Sequence, residues 1–192
     1  MTIDAVAIKQ PKHTASKLSQ GAKNTSHKLY VSNEKRINAA LCKNIARRRT
    51  DVDVKEIYTD AKITSPTFYL HHRSVQEARV SYEVSLEREL RARMPHNPKR
   101  EIVYTILTSH IAKNRGYFLA TAKGCDHHLL DKIITSYRIN LVGSKIDDRV
   151  FRYYVGAIIV AINCWLKFDG VTDETTKTCC KRLLRIRPMK WE

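Results

Sequence analysis

The stretch SPTFYLHH, residues 65–72, sets the hydroxyls of Ser65, Thr67 and Tyr69 and the imidazole of His71 among apolar neighbours. Read as a short helix, it sends Phe68 inward and offers those four polar groups outward, where they can bond phosphate oxygens or base edges. Thr64 stands in front as a cap. Pro66 falls in the first helical turn, where its missing N–H has no intrahelical partner to lose. The free N–H groups of such a helix start favour a phosphate. Lys55 upstream and Arg73 downstream place a cation on either side.

Other residue pairs invite other chemistry and do not support it. His71-His72 and His127-His128 are adjacent, and neighbouring side chains on a helix point about 100° apart, so no shared metal ion is expected. Five cysteines, Cys42, Cys125, Cys164, Cys179 and Cys180, form no C-x-x-C spacing and read as reduced thiols. Cys179 and Cys180 each precede a leucine, Leu183 or Leu184, by one helical turn, which reads as core packing. H-E-x-x-H, G-x-S-x-G, a phosphate loop and a dinucleotide glycine motif are all missing, so neither catalysis nor a cofactor is expected. Tyr104, His110, Phe118, Tyr137, Tyr154 and Trp165 are candidates for lining a small-molecule pocket, and each reads equally as plain core.

Charge points to a polyanionic partner. The chain carries a formal net charge of +16, and residues 1–50 hold 11 Lys and Arg against two acids. Nucleic acid or an acidic membrane surface fits such asymmetry. No window approaches the roughly 18 consecutive apolar residues of a membrane span. The first residues, MTIDAVAIKQPKHTASK, lack the apolar core of a signal peptide. The expectation is a soluble cytoplasmic protein without a membrane partner.

The elements that must hold these groups read as helices throughout, so the fold class is all-α. Residues 1–28 are Lys-rich, lack aromatics and read as a disordered basic arm, of the kind that enters a minor groove. Ile37, Ala40, Leu41, Ile45 and Ala46 form an apolar stripe for a first helix over about 33–48. Arg47, Arg48 and Arg49 close it, where cations suit the C-terminal dipole. Asp53 and Glu56 make a capping box for a short helix with Val54, Ile57, Tyr58 and Ala61 on one face. Lys62-Ile63-Thr64 then turns directly into the 65–71 helix, which is the helix-turn-helix plan. Ser74 and Glu77 form a second capping box, opening a helix to residue 93. Further helices are expected at about 98–113, 115–123, 126–142, 148–169 and 172–186, between breaks at Pro95–Pro98, Gly116, Gly124, Gly143 and Gly170. The 148–169 helix is apolar around most of its circumference between Val155 and Leu166, so it must be covered on nearly all sides.

Residues 54–78, VKEIYTDAKITSPTFYLHHRSVQEA, resemble the DNA-binding domain of the TetR family of bacterial transcriptional regulators. The matching positions are Val54, Ile57, Ala61, Ile63, Thr64, Thr67, Phe68, Tyr69, His71, Ser74 and Glu77. ILTSHIAKNRGYFLATAKGCDHHLLDKI and RYYVGAIIVAINCWLKFDG are similar, more loosely, to parts of a C-terminal domain of that family. The resemblance implies an N-terminal three-helix helix-turn-helix domain over 29–78 and a helical domain over 79–192 that dimerises through residues 148–186. It implies a cytoplasmic, nucleoid-associated repressor that binds double-stranded palindromic DNA as a homodimer and responds to a small-molecule effector. Thr67 and Tyr69 would then touch the DNA backbone, Ser65 and Pro66 would approach base edges, and His71 would pack or orient the helix. A TetR-like coactivator or protein-interaction subunit without sequence-specific DNA binding is the alternative.

Three positions depart from the family pattern. Lys62 replaces the turn glycine, and a positive φ there would cost on the order of 1 kcal/mol. His72 replaces an aromatic and needs a polar partner. Val75 replaces a phosphate-binding lysine, with Arg73 near enough to substitute.

Overall fold

The computed structural model describes residues 14–47, 52–143, 146–167 and 172–186. Among them the chain forms ten helices and no strand, so the all-α expectation holds. They are α1 (Thr14–Arg47), α2 (Val54–Asp60), α3 (Ser65–His71), α4 (Val75–Arg93), α5 (Arg100–Lys113), α6 (Arg115–Lys123), α7 (His128–Ser136), α8 (Arg138–Val142), α9 (Asp148–Lys167) and α10 (Asp173–Arg185).

α1 departs most from expectation. The arm predicted without structure lies partly outside the described residues, but from Thr14 onward it is helix, continuous with the predicted 33–48 element. The apolar stripe that suggested a start near residue 33 reports where burial begins, not where the helix begins. Residues 25–32 are all exposed, whereas Ile37, Ala40 and Leu41 are buried, Ile45 is half-buried and Ala46 is exposed. Burial of that C-terminal half supplies the nucleus. Each residue added beyond it gains a backbone bond at small cost, and Ala, Leu, Lys and Gln are good helix formers.

Two apolar clusters hold the helices together. Ile37, Ala40, Leu41, Ile57, Ala61, Phe68 and Ala78 make the smaller one, between α1, α2, α3 and the start of α4. The larger gathers α4 to α10 around Tyr104, Leu107, Ile111, Phe118, Ile134, Ile158 and Leu166. Ile45 and Tyr82 pack against both. The predicted face of α2 is realised, with Ile57 and Ala61 buried and Val54 and Tyr58 packed beside them. Cys179 is buried in the larger cluster and Cys180 packs on it; all five cysteines are free thiols.

The helix expected over 126–142 is broken at Tyr137 into α7 and α8. There the Ser136 hydroxyl donates to the Ile133 carbonyl at 2.7 Å, the local side-chain bond by which serine competes with a helical ladder. α9 buries Phe151, Tyr154, Val155, Ile158, Ile162, Trp165 and Leu166 along one face. The opposite face is open, with Tyr153 74 % and Val160 61 % exposed. By length and composition α9 could cross a membrane, but its buried face packs against α6, α7 and α10. Arg100 donates to the Leu184 carbonyl at 3.1 Å and also to that of Ile186, satisfying the last carbonyls of α10.

A charged network pins the start of α7 to α4 and α6. Glu83, buried on α4, accepts from the Tyr117 hydroxyl, from Arg79 Nε at 3.0 Å and from His128 Nε2 at 2.8 Å. The other ring nitrogen, His128 Nδ1, donates to Asp126 at 2.7 Å. Both nitrogens face carboxylate oxygens, so the ring is held as imidazolium. Partial burial opposes that charge, but the bonds to Asp126 and Glu83 outweigh it and raise the His128 pKa above 6.5. A raised histidine pKa contributes stability that is complete below about 6.5 and is lost as pH climbs through the folded-state value. The thermal midpoint of the wild type, followed by circular dichroism, falls between pH 6 and pH 9. That fall is smaller in His128→Gln, and an equal fall in both proteins rejects the imidazolium.

Candidate nucleic-acid interface

The surface around α3 is built from its caps upward. Asp53 precedes α2 in an extended conformation and accepts from the Lys55 N–H at 3.0 Å. α2 ends in a left-handed turn, where Lys62 has φ +52°. The Lys62 N–H donates to the Thr59 carbonyl and the Ile63 N–H to the Tyr58 carbonyl, each at 3.0 Å, which is the Schellman pattern of helix termination. Lys62 therefore occupies the glycine position in the conformation that glycine would adopt. Arg36 of α1 donates a guanidinium N–H to the Lys62 carbonyl and braces the turn.

Thr64 caps α3, its hydroxyl accepting from the Thr67 N–H at 3.3 Å and lying 2.8 Å from the Thr67 hydroxyl. Phe68 is buried in the smaller cluster, as its position predicts. Thr64, Pro66, Tyr69 and Arg73 are exposed, and Ser65 and Thr67 are half-buried. Lys55 is exposed at the start of α2, beside a shallow groove lined by Asn44, Arg47, Asp53, Glu56, Thr59 and Asp60. Leu70, which the sequence reading passed over, is 80 % exposed between Tyr69 and His71.

His71 does not point outward with the hydroxyls. Its side chain is only 2 % exposed, donates from Nδ1 to Glu34 at 2.9 Å and stacks on the Tyr30 ring with centroids 4.0 Å apart. Of the two expectations for this residue, packing and orienting the helix matches its position and solvent-facing donation does not. His72 follows the end of α3 with extended backbone, so its ring turns back toward its neighbour. At 4 % exposure it donates Nε2 to the same carboxylate, 3.1 Å from Oε1. The 100° argument fails for this pair because it presumes that both residues are helical.

The bond from His72 is the largest influence on Glu34, and with that from His71 it outweighs burial and holds the carboxyl below its ordinary range. The carboxylate is therefore ionised at neutral pH and accepts an N–H from each imidazole. A second carboxylate makes the other join between α1 and α2. Asp60 accepts from Lys43 at 2.7 Å and Asn44 at 2.9 Å, with Arg47 3.4 Å away. Arg48 and Arg49 lie outside the described residues. Val75 packs half-buried on the smaller cluster, which leaves exposed Arg73 as the cation at the start of α4. Glu77 accepts from the Arg73 N–H at 2.7 Å and Ser74 from the Glu77 N–H at 3.1 Å. The capping box thus forms with its back-bond shifted by one residue.

Sequence reasoning missed Glu34, Tyr30 and Arg36. A signal was present for the first, since Glu34 is the one acid between Thr14 and Arg47. The candidates for a small-molecule pocket are mostly filled core. Tyr104 and Tyr154 share a buried hydroxyl bond of 2.5 Å, and His110 and Phe118 are buried. Trp165 borders a groove of about 230 Å³ between α9 and α10, with Ala161, Thr178, Cys179 and Arg182. His127 Nε2 lies 3.5 Å from Asn163, apart from the network of His128. Compared with known proteins, the chain matches no family model, no curated protein and no solved structure.

Two substitutions test this construction. Lys62→Gly keeps the Schellman bonds and relieves the left-handed strain, so stability to urea rises by up to about 1 kcal/mol. A loss of stability places the strain elsewhere. Glu34→Ala leaves two buried imidazoles without their acceptor and costs about 1–3 kcal/mol in the same experiment. An unchanged urea midpoint removes that carboxylate from the frame.

Proposed function

We propose that this chain is a DNA-binding transcriptional regulator of TetR-like design, a repressor that reads a palindromic operator as a homodimer. Residues 29–78 act as the helix-turn-helix domain and residues 79–192 dimerise and receive a small-molecule effector. The observation that carries the reading is the α2–α3 unit. A Schellman turn and a threonine cap join two short helices, with Phe68 buried and Pro66 and Tyr69 exposed beside half-buried Ser65 and Thr67. That arrangement supports α3 as the helix in the major groove, its N-terminal residues toward base edges. Tyr69, Thr67, Lys55 and Arg73 supply phosphate contacts, and Ser65 and Pro66 lie nearest the bases. Thr64 serves as cap.

Dimerisation is supported by the open face of α9. Tyr153, Gly156, Ala157, Val160 and Cys164 recur at three- and four-residue spacing along it, and all are exposed. Small residues in that series let a second helix approach closely. Two copies would set their recognition helices about 34–36 Å apart, on successive major-groove faces. The effector then acts by favouring a dimer geometry that no longer fits this spacing, which requires different affinities for the two geometries.

One observation favours the alternative, a TetR-like coactivator or protein-interaction subunit without sequence-specific DNA binding. Leu70 and Tyr69 on α3 and Leu29 and Tyr30 on α1 expose apolar surface that a protein partner could cover. Titration onto an operator taken from the DNA upstream of the coding sequence, and onto random duplex, across a salt series separates the two. A preference for the operator that survives added salt supports the regulator. Equal affinities that fall alike with salt reject it. On the first outcome, Tyr69→Ala weakens binding roughly tenfold on both duplexes while the dimer persists by sedimentation, about the loss of one bond to a charged group. Unchanged affinity removes Tyr69 from the phosphate contacts.

A further inference from the structure

The α2–α3 surface does not account for the first half of α1. Residues 14–32 continue the helix past the smaller cluster for about 28 Å, at 1.5 Å per residue. Every residue from Thr25 to Ser32 is exposed. The extension leaves the core where Tyr30 stacks on His71, at the C-terminal end of α3 and close in sequence to Arg73. It carries Lys17, Lys23 and Lys28 and no acid. The one carboxylate on α1, Glu34, lies beyond the extension and faces His71 and His72 rather than the lysines. Lys35 extends the exposed cations by two turns beyond Lys28.

We propose that residues 14–35 of α1 form a rigid basic strut that lies along the phosphate backbone of duplex DNA, flanking the groove that α3 enters. This rests on the DNA-binding reading and adds a second contact surface to it. Helicity decides the mode of contact. An α-helix with its side chains is about 10–12 Å across, too wide for a minor groove of about 6 Å, so the extension does not thread that groove as an extended basic arm would. It reads no bases. At about 100° per residue Lys17, Lys28 and Lys35 lie on one face, roughly 10–17 Å apart along the axis, a spacing of about three to five phosphates on one strand, and Lys23 stands on the flank between the first two. A bilayer is a poor match, because Leu18 and Leu29 are the only leucines of residues 14–32 and provide no continuous apolar face.

The test uses the full chain, fluorescently labelled operator and random duplexes, and anisotropy over a series of NaCl concentrations. In the triple variant Lys17→Gln, Lys23→Gln, Lys28→Gln, the slope of log K against log salt falls in magnitude by about 2–3, near 0.9 for each phosphate no longer neutralised. Affinity drops at least tenfold near 0.1 M salt, by the same factor on both duplexes, because counterion release is blind to sequence. A second variant, Ala22→Pro, keeps every charge and breaks the helix between Lys17 and Lys28. It lowers affinity about threefold or more if the strut is rigid. An unchanged slope in the triple variant overturns the strut. A normal slope and affinity in Ala22→Pro alongside a weakened triple variant also overturns it, in favour of a flexible arm. Circular dichroism shows unchanged helicity in the triple variant and a loss confined to about one or two turns in Ala22→Pro, and sedimentation confirms that both keep their assembly. A wild type that prefers no operator rejects the regulator instead, and the slopes on random duplex still test the strut.

Discussion

One carboxylate holds the candidate recognition helix in place. Glu34 receives an N–H from each of two consecutive histidines at the end of α3, and both rings are almost wholly buried. Without it, two polar rings would sit in the apolar interface between α1 and α3, a cost comparable to losing the net benefit of several ordinary hydrogen bonds. With it, the C-terminal end of α3 has one orientation relative to α1, fixed further by the stacked Tyr30 ring. Helix α3 is only seven residues long, too short to be stable alone, so its geometry is imposed from outside.

The turn before α3 follows the same logic. Lysine in a left-handed conformation carries strain that glycine would not. The Schellman bonds and the guanidinium of Arg36 over-determine that conformation, so the strain persists without unravelling the helix end. Two departures from the resembled pattern, lysine for glycine and histidine for an aromatic, are therefore each met by a residue of α1. Arg36 and Glu34 lie two positions apart on that helix and serve the two ends of the same short element.

Much of the fold was legible in the sequence, because helix boundaries from α2 to α10 follow local signals. Proline, glycine and capping side chains mark many of them, and the apolar spacing of α2 matches its buried face, whereas α9, read as apolar around most of its circumference, buries one face and leaves the other open. Two boundaries were not legible, for physical reasons. The helix before residue 33 leaves little apolar trace because residues 25–32 are exposed, and neither proline nor glycine marks the break at Tyr137. In the candidate site, the residues of α2 and α3 could be named from their types and spacing. Their partners could not, since Glu34 is separated from His71 by 37 positions and only tertiary packing joins them. His71 was misplaced on the solvent side for that reason, and the orientation of His72 depended on backbone leaving the helix at that residue.

The length of α1 has a mechanical consequence. Its C-terminal half is clamped from several sides, by the smaller cluster, by Asp60 and by α6, with Cys42 and Ile45 packed toward the larger cluster. The other half runs on as uninterrupted helix, exposed from Thr25 to Ser32, so α1 is a cantilever with a fixed root. A small tilt at the root, where α6 and Tyr82 press on it, becomes a large sideways displacement at the tip. By reciprocity, whatever arrests the tip resists rearrangement at the root. That root touches both apolar clusters at once, through Ile45 of α1 itself and Tyr82 of α4 beside it.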